Sequence, residues 1–328
     1  MWRRWFDRLQ PLFLLLAFLF IAALLRSQWA TLRSYEWHLN PAWLALSAVL
    51  MLASWAVEVY IWYLLIRLLG AHLPYGAALR IWFLTALVRY IPGNVWQPLS
   101  LTFYCQRRQI RPELTLASIA LFQVILFLAT TPIAVFYFQV TGNWGIFTNL
   151  VAGWADWLIG LALLPVLIFL ARPGWLLAIL NWLLRKVGRD VVVAKLSSWH
   201  LLLLLLMGMI DWLLWGATFA TLTFALGPLT QLPLPTLFFH LMAVYPIGYA
   251  IGFLSLFTPS GFGVREGAYY LLLAPIMGGG LVTVAALTMR VWNIVGEVVM
   301  ALVSLLIERR QPMPMPTPVI VPPLERSR

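Results

Sequence analysis

Long apolar runs separated by short charged connections set the pattern of this chain. A helix needs roughly 20 apolar residues to cross a bilayer. Runs of about that kind fall near 12–25, 41–66, 114–139, 153–171, 198–226, 236–257 and 281–307. Two further apolar stretches, 81–105 and 258–276, are interrupted by Pro and Gly. The pattern predicts an all-α polytopic membrane protein with seven to eight transmembrane helices and two Pro/Gly-broken or re-entrant segments. Residues 1–310 read as one transmembrane domain. Residues 311–328 hold six prolines and no helical period, and read as a flexible cytoplasmic tail. The first run follows Arg3, Arg4 and Arg8 as a signal peptide would, but Arg26 stands where a small-residue cleavage site would end it, so it is expected to stay as a span.

Composition narrows the classes further. The 328 residues are 62% hydrophobic and 10% charged, with a mean hydropathy of +0.89, which excludes an ordinary soluble domain. The polar connections are too short to hold a nucleotide-binding α/β module, and no Gly-x-x-x-x-Gly-Lys-Ser/Thr loop occurs. The net charge is +11, and all but two of the 22 cations are Arg. They sit at helix ends and in short loops, where they suit anionic lipid rather than nucleic acid. The single cysteine, Cys105, excludes an internal disulfide, and His38, His72, His200 and His240 have no metal-ligand spacing. No metal or cofactor is expected.

Lys and Arg are retained on the cytoplasmic side during insertion. Cations cluster before the first run, in the connection at 172–197 and at Arg309 and Arg310, whereas 140–149, 227–235 and 277–280 carry none. Both termini therefore read as cytoplasmic, in a multi-pass protein of the cell (inner) membrane. Arg26 and Arg33 fall outside under this scheme, a departure partly offset by Glu36. Arg67 and Arg80 share a side with Arg107, Arg108 and Arg111 only if 81–105 enters and leaves by one face.

The two interruptions carry the candidate chemistry. In the first, Pro92 and Gly93 should break the helix beside Arg89, Asn94 and Gln97. Broken backbone at membrane depth needs protein or water to satisfy its polar groups. The plainer reading is an interfacial Pro-Gly turn with a snorkelling Arg. The second interruption reads Pro259-Ser260-Gly261-Phe262-Gly263-Val264-Arg265-Glu266-Gly267. It looks like an exposed helix N-terminus, which favours an anion; the plainer reading is a salt-bridged surface loop. Pro92 and Pro259 stand 167 residues apart, about half the chain, and broken segments at corresponding places in two halves point to a transporter's substrate site. With both openings placed on the cytoplasmic side, the halves would be parallel rather than inverted, or one segment is misplaced. Gly248 and Gly252 have the spacing of a helix-packing pair.

Ionisable residues inside apolar spans are costly and are functional by default. Arg290 and Glu297, seven residues apart, project from one face of the last span. With Arg89, Arg265 and Glu266 they are expected to form a cluster in which arginines grip a lipid phosphate and carboxylates hold the arginines; the rival is a set of ion pairs that only fixes helix register. Asp156 lies near a span end and reads as solvated, while Glu58 and Asp211 are candidate proton carriers.

The segments from Arg89 to Gln97 and from Pro259 to Gly267, with Arg290 and Glu297 as a weaker match, resemble the lysylphosphatidylglycerol synthase transmembrane-region family, also described as flippase-like. The resemblance covers roughly the first span to Arg310. The family commonly has Lys where this chain has Asn94, and Gly-Gly-Leu-Gly where it has Ser260-Gly261-Phe262-Gly263. In multidomain relatives a soluble aminoacyl-transferase domain follows the membrane part; here a Pro-rich tail follows. The resemblance therefore implies translocation without synthesis: movement of a phosphate-bearing lipid, such as an aminoacylated phospholipid or a polyprenyl-linked sugar, between leaflets. On this reading the two broken segments line a cavity for the headgroup, and the candidate substrate-binding residues are Arg89, Pro92, Gly93, Asn94, Gln97, Gly263, Arg265, Glu266, Arg290 and Glu297. The alternative is a non-catalytic membrane partner of a glycosyltransferase or other envelope-lipid enzyme. An intramembrane lipid-phosphate enzyme is a third reading, disfavoured by the missing nucleophile-base and metal constellations.

Overall fold

The structure is a computed structural model that describes Arg26, Arg33, Tyr35 and residues 37–90, 95–142, 155–227, 233–254, 261 and 263–310. The expected first span at 12–25 and the tail at 311–328 lie outside the described residues. The described helices are α1 (Pro41–Leu68), α2 (Tyr75–Ala86), a 3-10 turn (Leu87–Tyr90), α3 (Trp96–Gln106), α4 (Pro112–Thr141), α5 (Ala155–Ala171), α6 (Gly174–Lys186), α7 (Ser198–Ala225), α8 (Leu234–Leu254), α9 (Val264–Met277) and α10 (Gly279–Arg310).

Five of these, α1, α4, α7, α8 and α10, are long and apolar enough to cross a membrane, and α5 with α6 makes a sixth if that bent pair counts as one span. The expected seven to eight crossings are thereby corrected. The run at 153–171 stops because the chain turns by 92° between the 160–171 and 174–186 segments. Pro173 stands at that corner, where its ring and missing N–H end a helix. The run at 258–276 yields α9, whose 14 residues span about 21 Å, short of a hydrocarbon core of about 30 Å. The run at 81–105 breaks into helices too short to cross.

Local chemistry sets where the long helices start. The Asn40 side chain accepts hydrogen bonds from the Ala42 and Trp43 amides at 3.0 and 3.3 Å, with Pro41 next in line, so α1 begins there. Ser197 accepts from the His200 amide at 3.2 Å to start α7. His200 Nδ1 lies 2.8 Å from Ser197 Oγ, and His240 Nδ1 3.1 Å from Tyr137 Oη, so both histidines serve as hydrogen-bonded structural groups.

Cross-helix pairs fix the helix directions. Trp43 meets Phe224 and Ser47 Oγ donates to the Thr218 carbonyl, so α1 and α7 are antiparallel. Trp212 meets Tyr249 and Phe224 meets Phe238, so α8 runs against α7. Phe127 meets Phe253 and Phe136 meets Phe239, so α8 also runs against α4. The chain therefore leaves α1 and enters α4 at one end of the bundle, and α2, the 3-10 turn and α3 form a hairpin from that end. Arg189 pairs with Glu113 at 3.5 Å, which puts the connection before α7 at the same cation-rich end.

The second hairpin enters from the opposite end. A Cβ on Gly252 would meet the Arg265 Cβ at 2.8 Å, and one on Gly248 would run into the Tyr269 ring, so α8 and α9 lie antiparallel in close contact. Phe253 is level with the middle of α4, which is where this hairpin approaches its turn. The expectation that both broken segments open on the cytoplasmic side is corrected by these pairings: charge counting registers which loops carry cations, not how deep a hairpin reaches.

Two backbone features hold α8 in place. Pro246 removes the donor that the Met242 carbonyl would otherwise use. Gly216 of α7 lies against that Met242 backbone, a site where any Cβ would collide. The amphipathic α6 buries Leu176, Leu177, Leu180 and Leu184, exposes Trp175 and Trp182, and ends in Arg185 and Lys186. These features suit a helix lying along the membrane interface.

Single cysteines at His72 and Pro233, both exposed, test the assignment of the two linkers to opposite ends. A membrane-impermeant maleimide applied to sealed, oriented vesicles should label one from outside and the other only after permeabilisation. Native Cys105, 0% exposed, should stay unlabelled in both. Labelling of both from the same side would reverse the hairpin assignment.

Candidate functional site

Where the two hairpins approach each other, a cavity of about 450 Å³ opens among α1, α4, α7, α8 and α10. Its wall includes Arg89 from the 3-10 turn, Gln97 from α3, Arg265 from α9, and Arg290 and Glu297 from α10. Glu58 of α1 and Asp211 of α7 face the same space. Seven of the residues picked out in the sequence thus meet in one cavity. Glu266 is not in the wall but reaches it through Arg290. Gly263 is exposed and caps α9. Pro92, Gly93 and Asn94 lie outside the described residues.

Two ion pairs join the hairpins to α10. Arg89 Nη1 lies 3.2 Å from Glu297 Oε1, and Arg290 Nη2 lies 2.8 Å from Glu266 Oε1. Glu297 is 3% exposed, so this carboxylate depends on its partner for the charge it carries. Glu266 is shared: its Oε2 accepts the Gly263 amide at 2.7 Å, which closes the N-terminus of α9. Gly263 has φ of +82°, a backbone conformation that a side chain would strain, so the residue type at this cap follows from the turn.

Arg265 is held differently. Its Nε donates to Tyr269 Oη at 2.6 Å, and Tyr269 Oη donates onward to the Tyr245 carbonyl at 3.3 Å. The guanidinium carbon lies 4.7 Å from the centroid of the Tyr245 ring, 5.2 Å from Tyr249 and 5.5 Å from Tyr269. Ring faces attract a cation without cancelling its charge. Among the described residues no carboxylate lies within ion-pair distance of Arg265.

The sequence reading missed these tyrosines. Tyr245 and Tyr249 are four residues apart on α8, on the face that carries Gly248 and Gly252 at the neighbouring positions, and that spacing was the available signal. It also missed Asn293, one turn from both Arg290 and Glu297, and Gln123 of α4, which add neutral polar groups to the wall. The remaining lining is apolar, including Trp55, Trp212 and Trp215; Trp212 Nε1 donates to the Leu126 carbonyl at 2.9 Å and so pins α7 to α4.

The described residues thus form an all-α, multi-span membrane protein with broken hairpins around a cavity whose largely apolar wall carries charged groups, a feature shared with membrane transporters. Residues 10–300 match the model of the lysylphosphatidylglycerol synthase TM region, and the chain belongs to that family. It is a flippase-like integral membrane protein, consistent with lipid translocation in general. No curated protein matches the chain.

The ion pairs make a direct stability prediction. Arg89→Ala and Glu297→Ala should each lower the thermal midpoint in detergent or nanodiscs, because each removes one partner of an ion pair whose carboxylate is buried. The double variant should lose less than the sum, with a coupling energy of about 1–3 kcal/mol. Additive losses would mean that the pair does not hold the first hairpin to α10.

Proposed function

We propose that the cavity receives the headgroup of a phosphate-bearing lipid and passes it between leaflets. The observation that carries this reading is Arg265, a permanent cation facing the cavity and held by tyrosines, with no carboxylate at ion-pair distance among the described residues. Its charge stays available for an anion from the bilayer. A phosphate oxygen offers it charge-assisted hydrogen bonds, and Arg89 and Arg290 can join by sharing donors with their carboxylates. Gln97 and Asn293 supply neutral polar groups to the wall of the same space.

Size supports a headgroup rather than a whole lipid. Small-molecule sites occupy about 300–1,000 Å³, and a cavity of about 450 Å³ sits low in that range. The acyl chains stay in the bilayer while the polar end crosses. Aminoacylated phospholipids and polyprenyl-linked sugars both carry the required phosphate. The cation-rich end of the bundle faces the cytoplasm on this reading.

Native mass spectrometry of the gently solubilised protein tests the assignment. Wild type should retain an endogenous phosphate-bearing lipid, and Arg265→Ala should reduce its occupancy by about tenfold, the effect of losing one charge-assisted contact. Arg265→Lys should recover part of it. If retained lipid does not depend on Arg265, the cluster is architectural and a partner of an envelope-lipid enzyme becomes the better reading.

A further inference from the structure

The cavity contains more acid than its ion pairs use. Asp211 sits at the middle of α7 and is 1% exposed, yet it lines the cavity. Neither of its carboxylate oxygens has a hydrogen-bond partner among the described residues. Another acid, Glu58 of α1, faces the same cavity and interacts with it electrostatically. An ionised Asp211 there has no hydrogen-bond donor and no ion-pair cation among the described residues, and two acids facing one cavity raise the cost of each other's charge. Arg89, the cation that acts on Glu58, is already paired with Glu297, so a bound cation stabilises the two acids. Among the described residues no three His, Cys, Asp or Glu side chains are grouped to hold a metal ion. The cation that needs no coordination shell is a proton.

We propose that Asp211 and Glu58 form a proton-binding site whose occupancy is coupled to anion binding on the cavity arginines. The inference rests on the reading of the cavity as a headgroup site, and it supplies that reading with a driving force. Glu58 also feels Arg89 and Glu297. Across the cavity stand Arg265 of α9 and Arg290 of α10, with Tyr90 from the 3-10 turn and Tyr245 and Tyr249 from α8. The wall formed by α4 adds Gln123 and no titratable group, and residues 160–171 of α5, which also packs on α7, contain none.

The sign of the coupling follows from charge. An anion that binds Arg265 and draws on Arg89 weakens the positive field at Glu58. The acid pair then binds a proton more tightly, and by linkage a proton on the pair strengthens anion binding by the same factor. One proton is taken from water on the side where the headgroup enters, and it returns to water on the side where the headgroup leaves. Proton and anion travel together, so a proton gradient favours movement of the anionic headgroup in the same direction.

Two measurements test the proposal. Infrared spectra of the protein in lipid should contain a protonated-carboxyl stretch that shifts in D₂O and is lost in Asp211→Asn; absence of that band from wild type near neutral pH would overturn the proton site without reference to transport. The second uses sealed phosphatidylcholine vesicles holding a trace of phosphatidylglycerol with a fluorescent acyl chain, its movement read by dithionite quenching. An imposed pH gradient should raise the wild-type rate about threefold. In Asp211→Asn and Glu58→Gln the ratio of rates with and without the gradient should fall to one whatever the absolute rate, and Asp211→Glu should restore it. Wild-type movement indifferent to the gradient, or equally stimulated by sodium, would refute proton coupling. A probe that does not move at all counts against the headgroup reading, and the infrared band then decides the acid pair alone.

Discussion

Charge in a low-dielectric interior must be matched, and α10 is where this protein matches it. Arg290 and Glu297 stand two turns apart on one helix, and each pairs with a different broken hairpin, Arg290 with Glu266 of the second and Glu297 with Arg89 of the first. The signs are opposite, so the two hairpins could not exchange partners without placing like charges together. Withdrawing either hairpin leaves a buried charge on α10 without its counter-ion, which costs far more than a surface pair would. These two contacts hold the described parts of both hairpins to the same helix, in the wall of the cavity.

The two hairpins enter from opposite ends, the first from the cation-rich end and the second from the other, so the ion pairs of α10 tie one helix to two segments of opposed entry. On the proposed reading a phosphate that competes for Arg89 or Arg290 bears on these same contacts, so binding draws on the groups that hold the hairpins.

Much of the site was legible because polar residues are conspicuous in an apolar chain. Arg89, Arg265, Glu266, Arg290 and Glu297 each interrupt apolar surroundings, and a charge at membrane depth needs a partner. The tyrosines around Arg265 were not legible, since Tyr245, Tyr249 and Tyr269 read equally well as core or as interfacial anchors among so many aromatics. The number of crossings was misjudged for a different reason. Hydropathy records how apolar a run is but not whether it continues straight, and at Arg172-Pro173 an apolar run turns through 92° into the interfacial α6. The entry direction of the second hairpin was hidden too, because residues 255–260 carry no Lys or Arg for charge counting to use.

The three arginines of the cavity divide by what holds them. Arg89 and Arg290 are bound by carboxylates, which fix their position and offset their charge. Arg265 is positioned as firmly, by one hydrogen bond from Nε and three ring faces, but by groups that carry no net charge. A tyrosine cradle therefore separates two requirements that a carboxylate would merge, orientation of the guanidinium and cancellation of its field. The same separation explains why α8 needs Gly248 and Gly252. Only with small residues there can Tyr269 and the Arg265 stem lie flat against α8, and the cation reach the cavity with its charge intact.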